Sequence, residues 1–282
     1  MATRRDFLKN ITLISGAFAA SSVQAGSVVN NRKMKTGIQL WTLRDIIDTD
    51  LTGTLKALGK IGYNSLEPYG FDGSFYNHTA SDFRKMCNDL GMEITSTHCG
   101  ITADNASLFA EKAAEAGLEY LILPSFYGRP EKTLDDFKKV AHEMNRIGEI
   151  TNKAGIKFGY HNHNFEFQPM EGKLPYDTLL LETNPELVSF QMDIFWVIKA
   201  GQDPLSYFEK YPGRFQTWHL KDMAMDGDSC IVGNGRIQFR ELLKHSKKAG
   251  LKRIFVEQEQ YSEGTPMHCA EQSFRYIQKH LL

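Results

Sequence analysis

The stretch FGYHNHNFEF, Phe158–Phe167, sets two imidazoles two residues apart inside an aromatic run. Side chains two apart on a strand point the same way, so His161 and His163 would offer their nitrogens on one face, to a metal ion or a substrate. A single pair is not a site. Groups of the same kind recur further along, each at the end of a short apolar run: Asp193 after VSFQM, His219 in QTWHL and Glu257 in RIFVEQ. His161, His219, Asp193 and Glu257 together form a mixed nitrogen and oxygen donor set. Such a set suits one divalent ion such as Mn, Co, Zn or Fe. Each residue alone also has a plain structural explanation: a wall histidine, a turn cap for Asp193, a lysine or arginine partner for Glu257. Earlier runs end in Trp41 with Arg44 close behind, in Glu67 and in His98. Lys221 follows His219 by two residues and shares its direction, with a surface lysine beside Asp222 as the simpler alternative.

These groups converge only if the elements carrying them end in one place. From about residue 35 short apolar runs alternate with segments of helical period. The strand candidates are Gly37–Trp41, Asn64–Pro68, Glu93–His98, Tyr120–Pro124, Ile156–His163, Val188–Asp193, Gln216–Leu220 and Arg253–Gln258. Helical runs separate them, one with a candidate cap at Ser81, and Gly62, Gly91, Gly117, Gly155 and Gly250 stand where helix C-caps belong. Eight such units predict an α/β fold, a single-domain (β/α)8 TIM barrel over residues 36–282, whose strand ends meet in one cavity at the C-terminal face. An open doubly wound sheet is the alternative, and the chain has no GxGxxG after an early strand to support it.

The phrases GIQLWTLRD, SLEPYGF, TSTHCG, GYHNHNFEF, FQMDIFWVIKAG, TWHLKDM, GNGRIQF and FVEQEQY resemble the xylose isomerase-like superfamily of TIM barrels, the sugar phosphate isomerases/epimerases, over about residues 35–282. The superfamily also holds endonuclease IV. The resemblance implies one metal on strands 5 to 8 with ligands in the order Glu, Asp, His, Glu. Three of these fall on Asp193, His219 and Glu257. The first falls on His161, in YHNH where the family usually has a motif like LENH, with His163 as the other candidate ligand. In the epimerases the two metal-bound glutamates are also the acid/base pair. A histidine in one of those positions leaves more room for a one-base isomerase, a lyase or a hydratase. Trp196 stands where epimerases often carry histidine and predicts an apolar wall for a sugar ring.

The chemistry implied is proton abstraction beside a metal-polarised carbonyl of an unphosphorylated sugar or keto-sugar, giving an enediolate. Return of the proton makes an isomer or epimer. Loss of a β-oxygen makes a lyase or hydratase product, for instance from a 3-keto-glycoside. Glu257, His98 and Glu67 are the candidate bases, and Lys221 is placed to offset negative charge. Trp41, Arg44, His163, Trp196 and Arg236, the last in a GNG loop either tight or mobile, are candidates for substrate contact.

Composition excludes other classes. The 33 basic and 34 acidic residues give a formal charge of −1, which offers no general attraction to nucleic acid or anionic membrane. That argues against an endonuclease. A non-catalytic sugar-binding protein would use Trp41, Phe71, Trp196 and Trp218 for stacking and would need no acid/base set. Cys87, Cys99, Cys230 and Cys269 show no CxxC and read as buried thiols or one or two disulfides. The N-terminus runs from Arg4-Arg5 through a short apolar stretch to Val23-Gln24-Ala25. It is similar to a twin-arginine signal peptide over residues 1–25, followed by a linker at 26–35, and implies a periplasmic or otherwise exported protein. The apolar stretch is shorter than the ~20 residues of a membrane span, so no stable membrane association is expected. The aromatic loop Gly70–Ala80 would cover the cavity or form the contact of a homodimer.

Overall fold

In the computed structural model residues 34–126 and 132–282 are described. The twin-arginine segment and nearly all of the linker lie outside them. Eight parallel strand units form a barrel: β1 (Thr36–Gln39), β2 (Ser65–Glu67), β3 (Glu93–Ile94 and Ser96–His98), β4 (Tyr120–Leu123), β5 (Lys157–His161), β6 (Val188–Asp193), β7 (Thr217–Leu220) and β8 (Arg253–Val256). The hydrogen-bonded order runs from Glu93–Ile94 through β2, β1, β8, β7, β6, β5 and β4 to Ser96–His98. The two ends of the sheet are therefore the two halves of β3. Thr95, between them, donates its N–H to Leu66 and accepts from Tyr120, one neighbour on each side. The sheet closes on itself there, and no long edge is left unpaired.

Helices separate the strands, the longest being Leu134–Lys153, whose Thr133 and Asp136 form a capping box. Left-handed glycines at Gly62, Gly91, Gly117, Gly155 and Gly250 turn the chain from helix to strand. The helix Ala80–Asp89 starts two residues earlier than a cap at Ser81 predicts. Thr79 is its N-cap, because its hydroxyl reaches the N–H of Asp82. The cysteines are all free and buried.

Two strand ends differ from expectation, and both shape the site. β1 stops at Gln39, and Trp41 lies in the 3-10 turn Leu40–Leu43 that the Gln39 side chain caps. β5 stops at His161, so His163 is not on the strand. The Asn162 side chain takes over the ladder: its Oδ1 accepts from the Asp193 N–H at 3.1 Å and its Nδ2 donates to the Asp193 carbonyl at 3.2 Å. With those backbone groups satisfied by an amide, the main chain leaves the sheet. The Gly70–Ala80 loop contains the hairpin Ser74–Phe75 and His78–Thr79, with Phe71 and Phe75 buried in the core. Among the described residues no helix is long and apolar enough to cross a membrane.

Candidate active site

The centre of the site is His219, on β7 and fully buried. Its Nε2 lies 2.6 Å from Glu67 Oε1 and its Nδ1 lies 3.0 Å from Glu257 Oε2. Burial favours the neutral ring, but the two carboxylates outweigh it and raise the imidazole to about 10, so without an ion His219 carries a proton on each nitrogen, and ligation would take the place of the Nδ1 proton. Burial likewise opposes the ionised Glu67, and the neighbouring rings of His98 and His219, with the hydrogen bond from the charged His219, more than compensate, leaving it below the usual carboxylate range.

Lys221 lies beside this pair, its Nζ 3.0 Å from Asp193 Oδ2, 2.8 Å from Glu257 Oε2 and 2.6 Å from Glu259 Oε1. Asp193 is raised to about 6, chiefly by burial, against the attraction of Lys221. It divides its labour. Oδ1 accepts from the Trp196 N–H and caps the helix Ile194–Lys199, while Oδ2 is buried with no hydrogen-bond partner of good geometry. The plain cap expected of Asp193 and its place in the cluster both hold, one oxygen each.

The cluster fits a divalent ion on its own chemistry. His161, Asp193, His219 and Glu257 each bring one donor atom, all within 4.8 Å of one another. The buried Glu67, Asp193 and Glu257, with the partly exposed Glu259, set four carboxylates against the two cations His219 and Lys221, an excess of negative charge that a dication offsets. Glu67 beneath His219 is the outer carboxylate that a metal-ligating histidine ordinarily has.

Gln191, two residues before Asp193 on the same face of β6, sets the protons of the other rings. Its Nε2 donates to Glu67 Oε2 at 2.7 Å, which fixes the amide because a carboxylate accepts only. Its Oε1 must then accept, at 2.7 Å from His98 Nε2 and 3.0 Å from His161 Nδ1. The network thus assigns the protons to Nε2 of His98 and Nδ1 of His161. Burial holds both rings below the usual histidine range, hence neutral. His161 is left with a bare Nε2, 3.8 Å from Asp193 Oδ2, the lone pair that ligation requires.

Above the cluster opens a cavity of about 540 Å³. Trp41, Tyr69 and Trp196 supply aromatic faces, and His98, His163 and Glu257 supply polar ones, with Glu259 at the rim. Two polar atoms have no partner although buried, His163 Nδ1 and Trp196 Nε1. His163 reaches the cavity from the turn after β5 because Glu166, in the 3-10 turn Phe165–Phe167, accepts its N–H at 3.0 and 3.1 Å. Burial, aided by the charge of Lys221, lowers His163 to about 4, so its ring is neutral.

A family model described as the xylose isomerase-like TIM barrel matches residues 55–280. The chain belongs to the xylose isomerase-like TIM barrel family. A sugar phosphate isomerase/epimerase from Parabacteroides distasonis has 30% sequence identity and a TM-score of 0.78, over 92% of this chain and 96% of that one. An inosose dehydratase from Lacticaseibacillus casei is 24% identical over 172 residues, 54% of this chain and 57% of that protein. One from Bacillus licheniformis is 27% identical over 214 residues, 66% of this chain and 69% of that protein. The matches to the first of these curated relatives span little more than half of their length.

Within this xylose isomerase-like barrel, the four expected ligands come together, and His98, His163, Trp41 and Trp196 line the cavity. Three other expectations are corrected. Glu67 is wholly buried beneath His219 and does not line the cavity, so it is placed to position that ring and not to meet a ligand in the cavity. Arg44 does not line the cavity but braces its rim: it donates to the Glu259 carbonyl at 2.9 Å and to Tyr261 Oη at 3.2 Å, and sits 5.3 Å from the Trp41 ring. Arg236 is exposed and packs on Met223 Sδ at 2.8 Å. Its GNG loop is tight because the Asp222 carboxylate accepts the N–H groups of Gly233, Gly235 and Ile237. Of the two readings of Lys221, the inward one holds: it is buried against Asp193, Glu257 and Glu259, and the surface alternative falls. The stacking set of a pure binding protein also breaks up, since Trp218 is buried against Phe208 at 4.8 Å and Phe71 is in the core.

Residue patterns missed Gln191, Glu166 and Tyr69. The first carried a signal in the period of two that joins it to Asp193 on β6.

Two predictions test this wiring. Gln191→Met removes the acceptor that fixes His161 and should weaken binding of Mn or Zn about 10- to 100-fold in a chelator competition; unchanged affinity would refute the tautomer assignment. Burial raises Glu166 from 4.5 to about 7. Its folded form therefore favours the proton, and the stability this gives is full below about pH 4.5 and lost as pH rises through 7. Relative to Glu166→Gln, the metal-free wild type should lose up to about 3 kcal/mol in urea unfolding between pH 4.5 and 8; parallel pH profiles would refute it.

Proposed function

We propose that this barrel is a divalent-metal-dependent isomerase or epimerase acting on an unphosphorylated sugar or keto-sugar, through removal of a proton beside the carbonyl. The observation that carries the reading is the four-donor cluster of His161, Asp193, His219 and Glu257 at the floor of an aromatic-walled cavity. An ion bound there supplies the Lewis acidity that polarises a carbonyl and acidifies the neighbouring C–H. The chain's own groups do the rest. Trp41, Tyr69 and Trp196 stack on the ring and exclude water. The unpartnered Trp196 Nε1 donates to a sugar hydroxyl, and His163 Nδ1 pairs with a second one. Glu257 takes the proton and returns it. Lys221, always cationic here, holds Glu257 and Glu259 in place and offsets the charge that develops on the substrate oxygens. The Glu257 and Glu259 carboxylates facing the cavity disfavour a phosphate, which supports an unphosphorylated substrate.

A second reading, a lyase or dehydratase that expels a β-oxygen from the same intermediate, has its own support. The curated relatives described above are inosose dehydratases, and His161 replaces one of the two carboxylates that a two-base epimerisation uses. We further propose that the protein works after export, on the strength of Arg4-Arg5 and Val23-Gln24-Ala25. Recovery of the full chain in the cytoplasmic fraction would count against that.

The test is metal analysis with proton exchange. The wild type should hold about one divalent ion per chain and, with keto-sugars in D2O, place deuterium on the carbon beside the carbonyl. Asp193→Asn keeps the helix cap, so it should fold, lose the ion and exchange at least 100-fold more slowly. A metal-free wild type, or exchange that survives in Asp193→Asn, would sink the mechanism. Product analysis then separates isomer from elimination product.

A further inference from the structure

A second cavity, of about 230 Å³, lies between the loop after β3, the end of β4 and the helix Leu134–Lys153. Gly100 and Pro124 line both cavities, so one glycine and one proline stand between them. Its character is different from that of the sugar cavity. Leu123 and Phe126 come from the β4 side, and Val140, Met144 and Ile147 form one face of the helix at a spacing of four and three, with Thr102, Ser125 and Glu143 adding polar groups to a mainly apolar lining. Protein interiors close such gaps to crystal-like density. Apolar cavities of roughly 150 Å³ that stay open remain dry and take up ligands the size of benzene. Space is open around Gly100 at this shared boundary. Its φ is not in the left-handed region, and a Cβ built on it would meet nothing within 4 Å, so this glycine serves neither a turn nor a close packing contact.

We propose that this cavity is the subsite for an apolar, aryl-sized substituent carried by the sugar, which makes the substrate class a glycoside and not a free sugar. The proposal rests on the sugar reading of the main cavity. The ring of the sugar lies between Trp41 and Trp196 over the cluster, and its substituent passes Gly100 and Pro124 to lie against Phe126 and the helix face.

The probes are 4-nitrophenyl β-D-glucopyranoside, methyl β-D-glucopyranoside and 4-nitrophenol, titrated calorimetrically into the full protein supplied with divalent metal. Gly100→Leu blocks the passage and Val140→Phe fills the space from the opposite wall, and melting curves report whether each variant is folded. The wild type should bind the aryl glucoside at least 10-fold more tightly than the methyl glucoside, and that ratio should fall to near one in both variants. Equal affinities in the wild type, or a ratio that survives in folded variants, overturns the subsite. Failure of both glucosides with binding of 4-nitrophenol, lost in Gly100→Leu, keeps the subsite and counts against the sugar reading. Failure of all three overturns the subsite as well.

Discussion

The hydrogen bond from His219 to Glu67 is the contact on which the site depends. Glu67 is wholly buried, and a buried carboxylate without partners is costly. It is satisfied from several directions, by His219, by Gln191 and by Gln39, whose Nε2 lies 2.9 Å from Oε1. Each partner sits on a different strand: Gln39 on β1, Gln191 on β6 and His219 on β7. Only a closed barrel can bring these strands round to one carboxylate on β2. The closure at Thr95 and the wiring of the active site are in this sense one requirement, since a sheet open at β3 would leave its inner residues free to spread.

Outward from Glu67 the polarity is arranged in layers. The first layer orients rings, through Gln191 and the carboxylate itself. The second presents the bare Nε2 of His161 with Asp193, Glu257 and Lys221. The third is the aromatic wall of the cavity. A ring misplaced in the first layer is felt in the third, because protonation state passes along hydrogen bonds whose donors and acceptors cannot swap once the carboxylate fixes one end.

Much of this was legible before any coordinates. The helix, glycine and strand phrase marked the barrel because a left-handed C-cap needs glycine wherever the backbone turns that way. The metal set was legible because strand ends converge in a barrel, so Asp193, His219 and Glu257 needed no local motif. Depth was not legible. Glu67 and His98 both end their strands, yet one lies under the cavity and the other lines it, a difference set by register and tilt. Arg44 and Arg236 lie on loops, whose paths depend on contacts such as the Asp222 carboxylate with the N–H groups of the GNG segment. His163 was placed on the right side of the molecule for the wrong reason: the strand expected to carry it ends at His161, and a buried glutamate three residues beyond His163 does the aiming.

The cavity draws on the barrel unequally. The donor cluster comes from β5 to β8, and the loops after β1 and β8 are tied together by Arg44 through the Glu259 carbonyl and Tyr261. The opposite wall, Tyr69, Gly70, Gly100 and Pro124, comes from the loops after β2, β3 and β4 and contributes no donor to the four-residue cluster. Heredity can therefore edit one half without touching the other. Substitutions at Tyr69 or Pro124 would reshape the cavity and leave the four-residue cluster intact, so on the proposed reading new specificities are reachable by single steps that each retain the donor set.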